Sequence, residues 1–383
     1  MRFDVFYVLA NQGRGRAWSD LLDEVRRRVV LADELGFDGM WLGEHHFDAE
    51  GTDQLPNPVL LCADLAARTS RIRLGMAAVS LPLWHPIRLA EDLAMLDHFS
   101  GGRVDVAFSR GILAGEIVNL NPDADRADEA RSRAIFDEHL AMVRAAWTED
   151  PFSWQSERYQ IPRPKTKWPA KAYESYHDSD GYLAGLAVLP QPVQSPTPPL
   201  YAVSQGLEGF RSAARQGLGI ITSHSTPRRA QKLGAAYAEV AAQHGGPPSY
   251  MPGPCVLVRD TCVAATDAAA REMMEEQVAV RFNLIKRVRG LGEWLEEDED
   301  PSDPAFESMK PFDLMMDRDY LLVGSPDTVS ERMIRMHRDY GIEHWSLALG
   351  RVSDDQLETT LRLLADEVLP AVRKAAAELK DAS

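Results

Sequence analysis

The sequence predicts an α/β fold, a (β/α)8 TIM barrel with insertions, and two patterns favour this architecture. Eight short apolar, β-branched runs recur along the 383 residues, and helical stretches lie between them. Runs that are apolar throughout are typical of a parallel sheet covered on its outer face. An open doubly wound sheet shares this local alternation, so the strand count favours the barrel and leaves the open sheet as the alternative.

The predicted elements follow in chain order. The strands occupy residues 5–9, 40–42, 74–79, 104–108, 200–203, 219–222, 255–263 and 345–349. The first helix is predicted at 20–35, with Ser19 before its start and Gly36 as its C-terminal cap. Helices at 207–216, 226–244 and 327–340 also end at a glycine, the last beginning at Ser325 and Pro326. An amphipathic helix at 354–380 is expected outside the barrel.

Two segments interrupt this alternation within a single predicted domain, 1–383. Residues 154–199 are rich in proline and aromatic residues and are predicted to be an insertion after the fourth strand and helix. Residues 289–319 contain the acidic run 296–300 followed by Pro301. A run of like charges is usually a solvated loop, and a mobile lid at the barrel mouth is the second interpretation.

Composition excludes several classes of protein. Hydrophobic residues make up 45% and charged residues 26% of the chain, which is the balance of a globular protein with a large core. The net charge of -16 argues against nucleic acid and anionic membranes as partners. No apolar run is long enough to cross a bilayer and no cleavage signal follows Met1, so we expect a cytoplasmic protein. The three scattered cysteines, Cys62, Cys255 and Cys262, are expected to be buried and reduced.

The residues just after each predicted strand are the candidates for chemistry, because the strands of a barrel end at its active face. Glu44, His45, His46 and Phe47 follow the second strand. Neighbouring side chains in an extended segment point to opposite faces, so one histidine is expected in the barrel mouth, and no metal site is predicted. A hydrogen-bonded loop histidine and a proton-transferring histidine are both open at this point.

Three further strand ends have small or cationic residues. The segment 75–82 is small enough for a flat ring to approach its backbone, although tight core packing explains it better. Arg110 followed by Gly111 suits a phosphate or carboxylate, with a structural ion pair as the alternative. The turn Ser204, Gln205 and Gly206 precedes a helix and is a candidate phosphate site, although any βα turn resembles it. No dinucleotide or P-loop fingerprint is present.

These motifs together resemble the bacterial luciferase-like flavin-dependent monooxygenase family, across most of the chain. The likeness rests on motifs that occur in this order: 2–9, Gly36-Phe37-Asp38 leading to Trp41, Glu44-His45-His46-Phe47, 75–79, Leu81-Pro82, His85-Pro86, Glu91-Asp92-Leu93, Leu96-Asp97, 100–103, Arg110-Gly111 and 323–326.

The resemblance implies a role for each candidate. Reduced FMN would lie at the mouth of the barrel, with His45 as the catalytic histidine and a cis peptide between Ala77 and Ala78 against the flavin ring. Arg110 and the turn 204–206 would hold the phosphate. Ser109 would face the ring carbon where O2 adds to give a flavin hydroperoxide, and a separate flavin reductase would supply the reduced flavin.

Four positions depart from luciferases of the family. Some have a cysteine where Ser109 stands, a Glu-Ser pair aligns with Gln205 and Gly206, and a pocket tryptophan aligns with His224. We therefore expect a different substrate from a long-chain aldehyde, in a pocket formed by Trp84, Trp154 and His224. Hydroxylation, Baeyer-Villiger insertion and epoxidation remain open.

Two other functions are compatible with the same fold. A deazaflavin-dependent oxidoreductase would move hydride without oxygen, and a non-catalytic flavin-binding partner subunit would perform no chemistry. The resemblance also implies a homodimer formed through barrel helices.

Overall fold

The computed structural model describes residues 1–168, 174–223, 225–350 and 352–381. Its strands are β1 (Arg2–Tyr7), β2 (Gly39–Leu42), β3 (Arg73–Ser80), β4 (Val104–Ser109), β5 (Trp154–Gln155), β6 (Gln160–Ile161), β7 (Leu200–Val203), β8 (Gly219–Thr222), β9 (Val256–Val263), β10 (Leu321–Gly324) and β11 (His344–Leu349). Eight of these coincide with the predicted strands, with shifts of a few residues at their ends.

Helices connect the strands on the outside. They are α1 (Trp18–Leu35), α2 (Pro58–Ala66), α3 (Pro86–Ser100), α4 (Ala114–Leu120), α5 (Glu129–Thr148), α6 (Leu207–Arg215), α7 (Pro227–Ala242), α8 (Asp267–Arg289), α9 (Pro304–Ser308), α10 (Pro311–Asp317), α11 (Pro326–Tyr340), α12 (Asp354–Leu363) and α13 (Leu369–Asp381). None of the described helices has the length and apolar character needed to span a bilayer.

The parallel sheet closes into a barrel, so the prediction of a (β/α)8 fold is confirmed and the open sheet is excluded. The ring runs β1-β2-β3-β4-β7-β8-β9-β11 and returns to β1. Closure depends on two contacts: Ile221 and Thr222 of β8 pair with the start of β9, and β11 pairs with β1 over five residues. All eight strands therefore end at the same face.

A ninth parallel strand, β10, lies outside this ring. Its four residues pair with 260–263, the last part of β9. The sequence analysis missed this strand and assigned Gly324 to a helix start. The helix does begin there, capped by the Ser325 side chain, but four apolar residues before it are too short a pattern to distinguish from a loop.

Most predicted helix ends agree with the structure. Gly36 and Gly341 adopt the left-handed conformation expected of C-terminal caps, and Thr226 caps α7. The prediction for Ser19 is wrong, because α1 begins at Trp18 and no side chain caps it. The C-terminal helix lies outside the barrel as expected, and the Thr360 hydroxyl donates to the Val263 carbonyl at the end of β9 (3.0 Å).

The two irregular segments lie in different places. Residues 174–199 of the first segment reach the N-terminal end of the barrel, where Gln194 bonds the Asp97 carboxylate (2.8 Å) and the Val104 carbonyl (2.9 Å). The second segment packs on an apolar cluster with α8, in which Trp294 stacks on Phe282 at 5.5 Å between ring centroids.

Buried charges connect the strands at the N-terminal end of the barrel. Asp4 is fully buried and accepts hydrogen bonds from Arg2 (2.9 Å) and Trp41 (2.7 Å), and its other neighbour is His344 (2.8 Å). Burial alone would raise the pKa of Asp4, but Arg2 and His344 outweigh it and hold the pKa below its usual range. The second carboxylate, Asp105, pairs with the same arginine at 2.6 Å.

Inside the barrel, Gly75 provides the space that an aromatic ring fills. A Cβ on Gly75 would lie 2.3 Å from Cε3 of Trp41 and 2.6 Å from the Met40 carbonyl oxygen. Trp41 is completely buried and packs edge-on against Tyr201 at 5.4 Å. Tight core packing therefore explains Gly75, as expected from the residues alone.

We expect Gly75→Ala to lower the free energy of unfolding by about 3 kcal/mol, because neither the indole nor the backbone can move away without opening the core. Urea denaturation measures the change. Gly15→Ala is the matched control, since an added Cβ there meets nothing within 4 Å. A loss at Gly75 no larger than the control's would contradict the packing described above.

Candidate active site

The residues after β2 form one wall of the barrel rim, and a carboxylate from α4 holds them. Glu116 is 2% exposed, and its Oε1 lies 3.1 Å from Nδ1 of His45. The same oxygen accepts a hydrogen bond from the His46 backbone N–H at 2.7 Å. Gly111 lies between β4 and α4 and adopts the left-handed conformation. Ile117 of α4 occupies the space where a Cβ at position 111 would project. A glycine here therefore allows α4 to lie close to the strand ends.

A second buried carboxylate binds the other histidine. Glu44 lies 2.9 Å from Nε2 of His46 and accepts from the Ser80 backbone N–H (2.9 Å) and the Trp84 indole N–H (3.0 Å). The two histidines therefore have different carboxylate partners and do not converge. Among the described residues, no group of three or more potential ligands is placed to hold a metal ion.

The electrostatic surroundings of His45 favour its charged form. Burial by itself would lower the pKa of the imidazole, but the hydrogen bond to Glu116 and the nearby carboxylates of Asp53 and Asp48 outweigh burial and raise the pKa above 6.5. With its Nδ1 proton bonded to Glu116, the ring has Nε2 available for a second proton, so it can donate or accept one near neutral pH.

The neighbouring strand has an unusual backbone conformation. The Ala77–Ala78 peptide is cis, which confirms the conformation that the resemblance implied. The strand register between β3 and β4 also shifts between Ala77 and Val79.

A cavity of about 800 Å³ opens at the C-terminal ends of the strands. Its inner wall is largely apolar and is formed by side chains of the barrel: Phe6, Ala77, Val203, Ile221, Val258, Ala348 and Leu349. Helix α8 forms the facing wall with residues one or two turns apart, including Met274, Gln277, Arg281 and Leu284. This volume and lining are typical of a small-molecule or cofactor site.

Ser109 and Arg110 lie at the end of β4 as predicted. The Ser109 hydroxyl accepts from the Gly111 backbone N–H at 3.2 Å. Arg110 forms an ion pair with Glu129 of α5 at 2.8 Å, the structural alternative considered for this arginine. Its hydrogen bond lowers the pKa of Glu129, which favours the charged carboxylate.

The candidate phosphate turn lies before α6. The Ser204 hydroxyl lies over the first turn of this helix, where a Cβ on Gly209 would meet it at 1.8 Å. The Gln205 side chain turns to β8: its Oε1 accepts from the Thr222 hydroxyl (2.6 Å) and the Ser223 backbone N–H (3.2 Å). The Gln205 side chain therefore fixes the turn to the neighbouring strand.

Two of the three predicted pocket residues, Trp84 and Trp154, have different hydrogen-bond partners. Trp84 bonds Glu44 beneath the histidine segment, and Trp154 bonds Glu138 on the side of α5 (3.3 Å). Neither lines the 800 Å³ cavity. His224 falls outside the described residues. Helix α8, which the sequence analysis did not consider, forms the wall instead.

Sequence reasoning missed Glu116, Gly209 and the function of Glu44 as a hydrogen-bond acceptor. Glu116 lies 71 residues from His45 and looks like an ordinary acid in the first turn of a helix. Only its position after the Arg110-Gly111 motif offered a signal, because that places it at the barrel rim. Gly209 gave no signal, since a glycine within a helix is not specific for any function.

Comparison with known proteins identifies the family of this chain. The family model described as luciferase-like monooxygenase matches residues 1–344. The chain belongs to the luciferase-like monooxygenase family. It is therefore an enzyme of the flavin-dependent monooxygenase type, whose chemistry is oxygenation of a substrate. Family membership confirms the resemblance inferred from the sequence.

Relatives of this luciferase-like chain cover its whole length. It is 24% identical to the oxygenase component of the flavin-dependent trigonelline monooxygenase of Acinetobacter baylyi, over 100% of this chain and 99% of that protein. The oxygenating constituent of 3,6-diketocamphane monooxygenase from Pseudomonas putida, solved with FMN, has a TM-score of 0.77 and 20% identity, covering 97% of this chain and 98% of the other.

A second solved structure shows that the fold also serves another cofactor. An F420-dependent secondary alcohol dehydrogenase has a TM-score of 0.67 and 17% identity, covering 97% of this chain and 99% of that one. The fold alone does not distinguish the two cofactors.

The geometry of Glu116 predicts a pH effect. We expect the wild-type His45 imidazole to titrate above 6.5, and Glu116→Gln to lower that value, because the variant loses the carboxylate and keeps the burial. Histidine NMR titration, assigned with a His45→Ala sample, measures both values. Glu149→Gln, at the C-terminal end of α5, is the control of equal charge change.

The same shift links protonation to stability. Because the folded-state pKa is raised, the stabilisation is fully present below the unfolded value and is lost as pH rises through the folded value. Glu116→Gln should therefore lose more stability under mildly acidic conditions than under mildly alkaline ones. An equal loss on both sides, or an unchanged His45 titration, would show that Glu116 does not act on this imidazole.

Proposed function

We propose that this luciferase-like enzyme uses reduced FMN and O2 to oxygenate a small organic substrate, with the reduced flavin supplied by a separate reductase. One observation carries the proposal: His45, held by the buried Glu116, follows β2, and the neighbouring strand β3 has a cis peptide whose Ala77 lines a largely apolar cavity. The resemblance assigns the flavin ring to this place.

The residues present fit both the ring system and the phosphate group of FMN. The apolar wall can accommodate a planar ring system. Ala77 contributes only a methyl group to this wall, and Phe6, Val203 and Ile221 complete it. The N-terminus of α6 and the Arg110 guanidinium lie at the ends of β7 and β4, two neighbouring strands. Backbone amides and a guanidinium are suitable donors for a phosphate.

Reduced FMN supplies the electrons that activate O2. In this proposal the chain would hold the ring against β3 and bind the phosphate through Arg110 and the turn 204–206. The apolar cavity wall would exclude water. His45 transfers a proton at Nε2, since its Nδ1 is bonded to Glu116. Ser109, whose hydroxyl is at the end of β4, would face the reacting part of the ring.

Substrate binding belongs to the same cavity. Helix α8 contributes Met274, Gln277 and Leu284 to the wall opposite the barrel, so we propose that this helix recognises the substrate. Trp84 and Trp154, which the sequence assigned to the pocket, do not contact the substrate in this proposal; they bond Glu44 and Glu138 instead. Hydroxylation, Baeyer-Villiger insertion and epoxidation are all compatible with this geometry.

The proposal includes partners and location. The name of the Acinetobacter relative, an oxygenase component, supports a transient encounter with a flavin reductase. We further propose a cytoplasmic homodimer, in agreement with the reduced, buried cysteines, and a lid formed by 289–319 at the mouth.

A deazaflavin-dependent oxidoreductase is the second candidate, favoured by the similarity to the F420-dependent dehydrogenase. The histidine pair with its two carboxylates argues for the monooxygenase, since it gives the site a proton donor of raised pKa beside the flavin position.

Rapid mixing tests the monooxygenase directly. When protein loaded with reduced FMN meets O2, we expect a transient absorbance phase that needs both components, followed by substrate oxygenation. His45→Ala should slow substrate turnover by about 100-fold or more, which is the range for loss of a general acid or base. His244→Ala, on an exposed histidine that follows α7 and bonds the Val240 carbonyl of that helix, should match wild type. Absence of the transient phase together with normal turnover in His45→Ala would exclude the mechanism.

Cofactor choice is tested separately by equilibrium binding of reduced FMN and of reduced F420 to the purified chain. We expect FMN to bind at least about tenfold more tightly, because the turn at α6 and Arg110 provide for one compact phosphate group. Preferential binding of the deazaflavin, with oxygen-independent oxidation of an alcohol, would support the second candidate instead.

A further inference from the structure

Arg259 is a buried cation for which the proposed chemistry has no direct use. Its neighbours on β9, Val258 and Asp260, both line the cavity, so the Arg259 side chain points away from it. The residue is 1% exposed. Among the described residues it forms no ion pair, and each of its recorded hydrogen bonds ends on a backbone carbonyl.

Two of these carbonyls belong to the loop after β8. The guanidinium donates to the Ser225 carbonyl at 2.6 Å and more weakly to the Ser223 carbonyl at 3.4 Å, and a third bond goes to the Val258 carbonyl at 2.8 Å. The ring of Tyr320 lies 5.5 Å from the guanidinium carbon. Burial lowers the pKa of Arg259 to about 10, so the side chain is still charged at neutral pH.

A buried charge without a carboxylate is costly unless its donors are satisfied. Here backbone carbonyls, two of them in the loop, accept from both terminal nitrogens of Arg259, while its Nε has no partner among the described residues. If the loop left this position, the guanidinium would remain buried and would lose the carbonyls that accept its hydrogen bonds. Arg259 therefore holds the backbone at residues 223 and 225 in one arrangement, from behind the cavity wall.

The same loop fixes the candidate phosphate turn. The Ser223 backbone N–H and the Thr222 hydroxyl both donate to Oε1 of Gln205, and Nε2 of Gln205 donates to the Ser223 hydroxyl at 3.1 Å. The Thr222 hydroxyl also lies 3.3 Å from that of Ser225. A continuous series of hydrogen bonds thus runs from Arg259, through the loop, to the turn that precedes α6.

We propose that Arg259 is a positioning residue for the phosphate end of the cofactor site, acting through Thr222, Ser223, Ser225 and Gln205. The proposal rests on the assignment of FMN phosphate to the turn 204–206. It predicts that Arg259 influences binding of the phosphate and leaves binding of the isoalloxazine ring largely unchanged.

A comparison of two flavins separates these effects. Reduced FMN and reduced riboflavin share the ring and the ribityl chain and differ by the phosphate, so the ratio of their dissociation constants measures the phosphate contribution. Anaerobic titration of the purified chain gives this ratio for wild type and for Arg259→Lys, which keeps the charge and loses the planar fork.

Arg103 provides a matched control. It also donates mainly to carbonyls, those of Ser100 and Ile72 at 2.7 Å each, but it lies before β4 at the opposite end of the barrel. Arg103→Lys removes the same fork from a site that cannot reach the cofactor.

We expect Arg259→Lys to weaken FMN binding by about tenfold and riboflavin binding by less than about twofold. Arg103→Lys should leave the ratio as in wild type, whatever it does to stability. An unchanged ratio in Arg259→Lys would overturn the assignment of Arg259. A wild-type ratio near one would instead remove the phosphate site on which both proposals rest, and the two failures are therefore distinguishable.

Hydrogen exchange of the wild-type chain tests the same proposal if Arg259→Lys does not fold. FMN should slow amide exchange at residues 222–226 and 204–209 more than riboflavin does, because the phosphate tightens the turn and the loop together. Equal protection by the two flavins at 222–226, with extra protection by FMN at 204–209, would show that the loop is not coupled to the turn and would overturn the proposal.

Discussion

Pairing of β8 with β9 and of β11 with β1 closes the parallel sheet into a ring, and every feature of the site depends on that closure. Parallel strands in a ring end at one face, so segments far apart in the chain meet there. At the other end, Asp4 and Asp105 join β1 to β2, β11 and β4 through Arg2, Trp41 and His344. The buried charges make the observed strand register much more favourable than a shifted register, because a shifted strand would leave a buried carboxylate unpaired.

The rim chemistry follows the same logic of buried carboxylates. Glu116 binds the His45 ring and the His46 backbone N–H, whereas Glu44 binds the His46 ring and the Ser80 backbone N–H. The two adjacent histidine rings therefore have different carboxylate partners. A carboxylate at Nδ1 selects the tautomer and favours the charged imidazole at His45. At the other side of the mouth, Arg259 and Gln205 stabilise a turn through hydrogen bonds to the backbone. Reactive groups are thus held by residues that do not themselves line the cavity.

The sequence located the strands and the strand-end motifs well, and it located the cavity walls poorly. The EHHF segment, Arg110 and the 204–206 turn all lie after the strands to which they were assigned, and the cis peptide occurs at the expected alanines. Trp154 does not line the cavity, because an insertion can cross either end of a barrel and the Gln194 contacts show that this one reaches the N-terminal end. β10 was missed because four apolar residues without alternation carry too little pattern.

Local pattern alone determined which segments are strands and helices, where most helices end, that no fingerprint for dinucleotides or P-loop nucleotides exists, and which family the chain resembles. These properties depend on neighbours in sequence: apolar periodicity, capping residues and short motifs. Tertiary structure decided the closure of the ring, the partnership of Glu116 with His45, the wall supplied by α8 and the link from Arg259 to Gln205. Each of these joins residues separated by tens to hundreds of positions, and such pairings are determined by packing and burial in the folded chain, which no local pattern encodes.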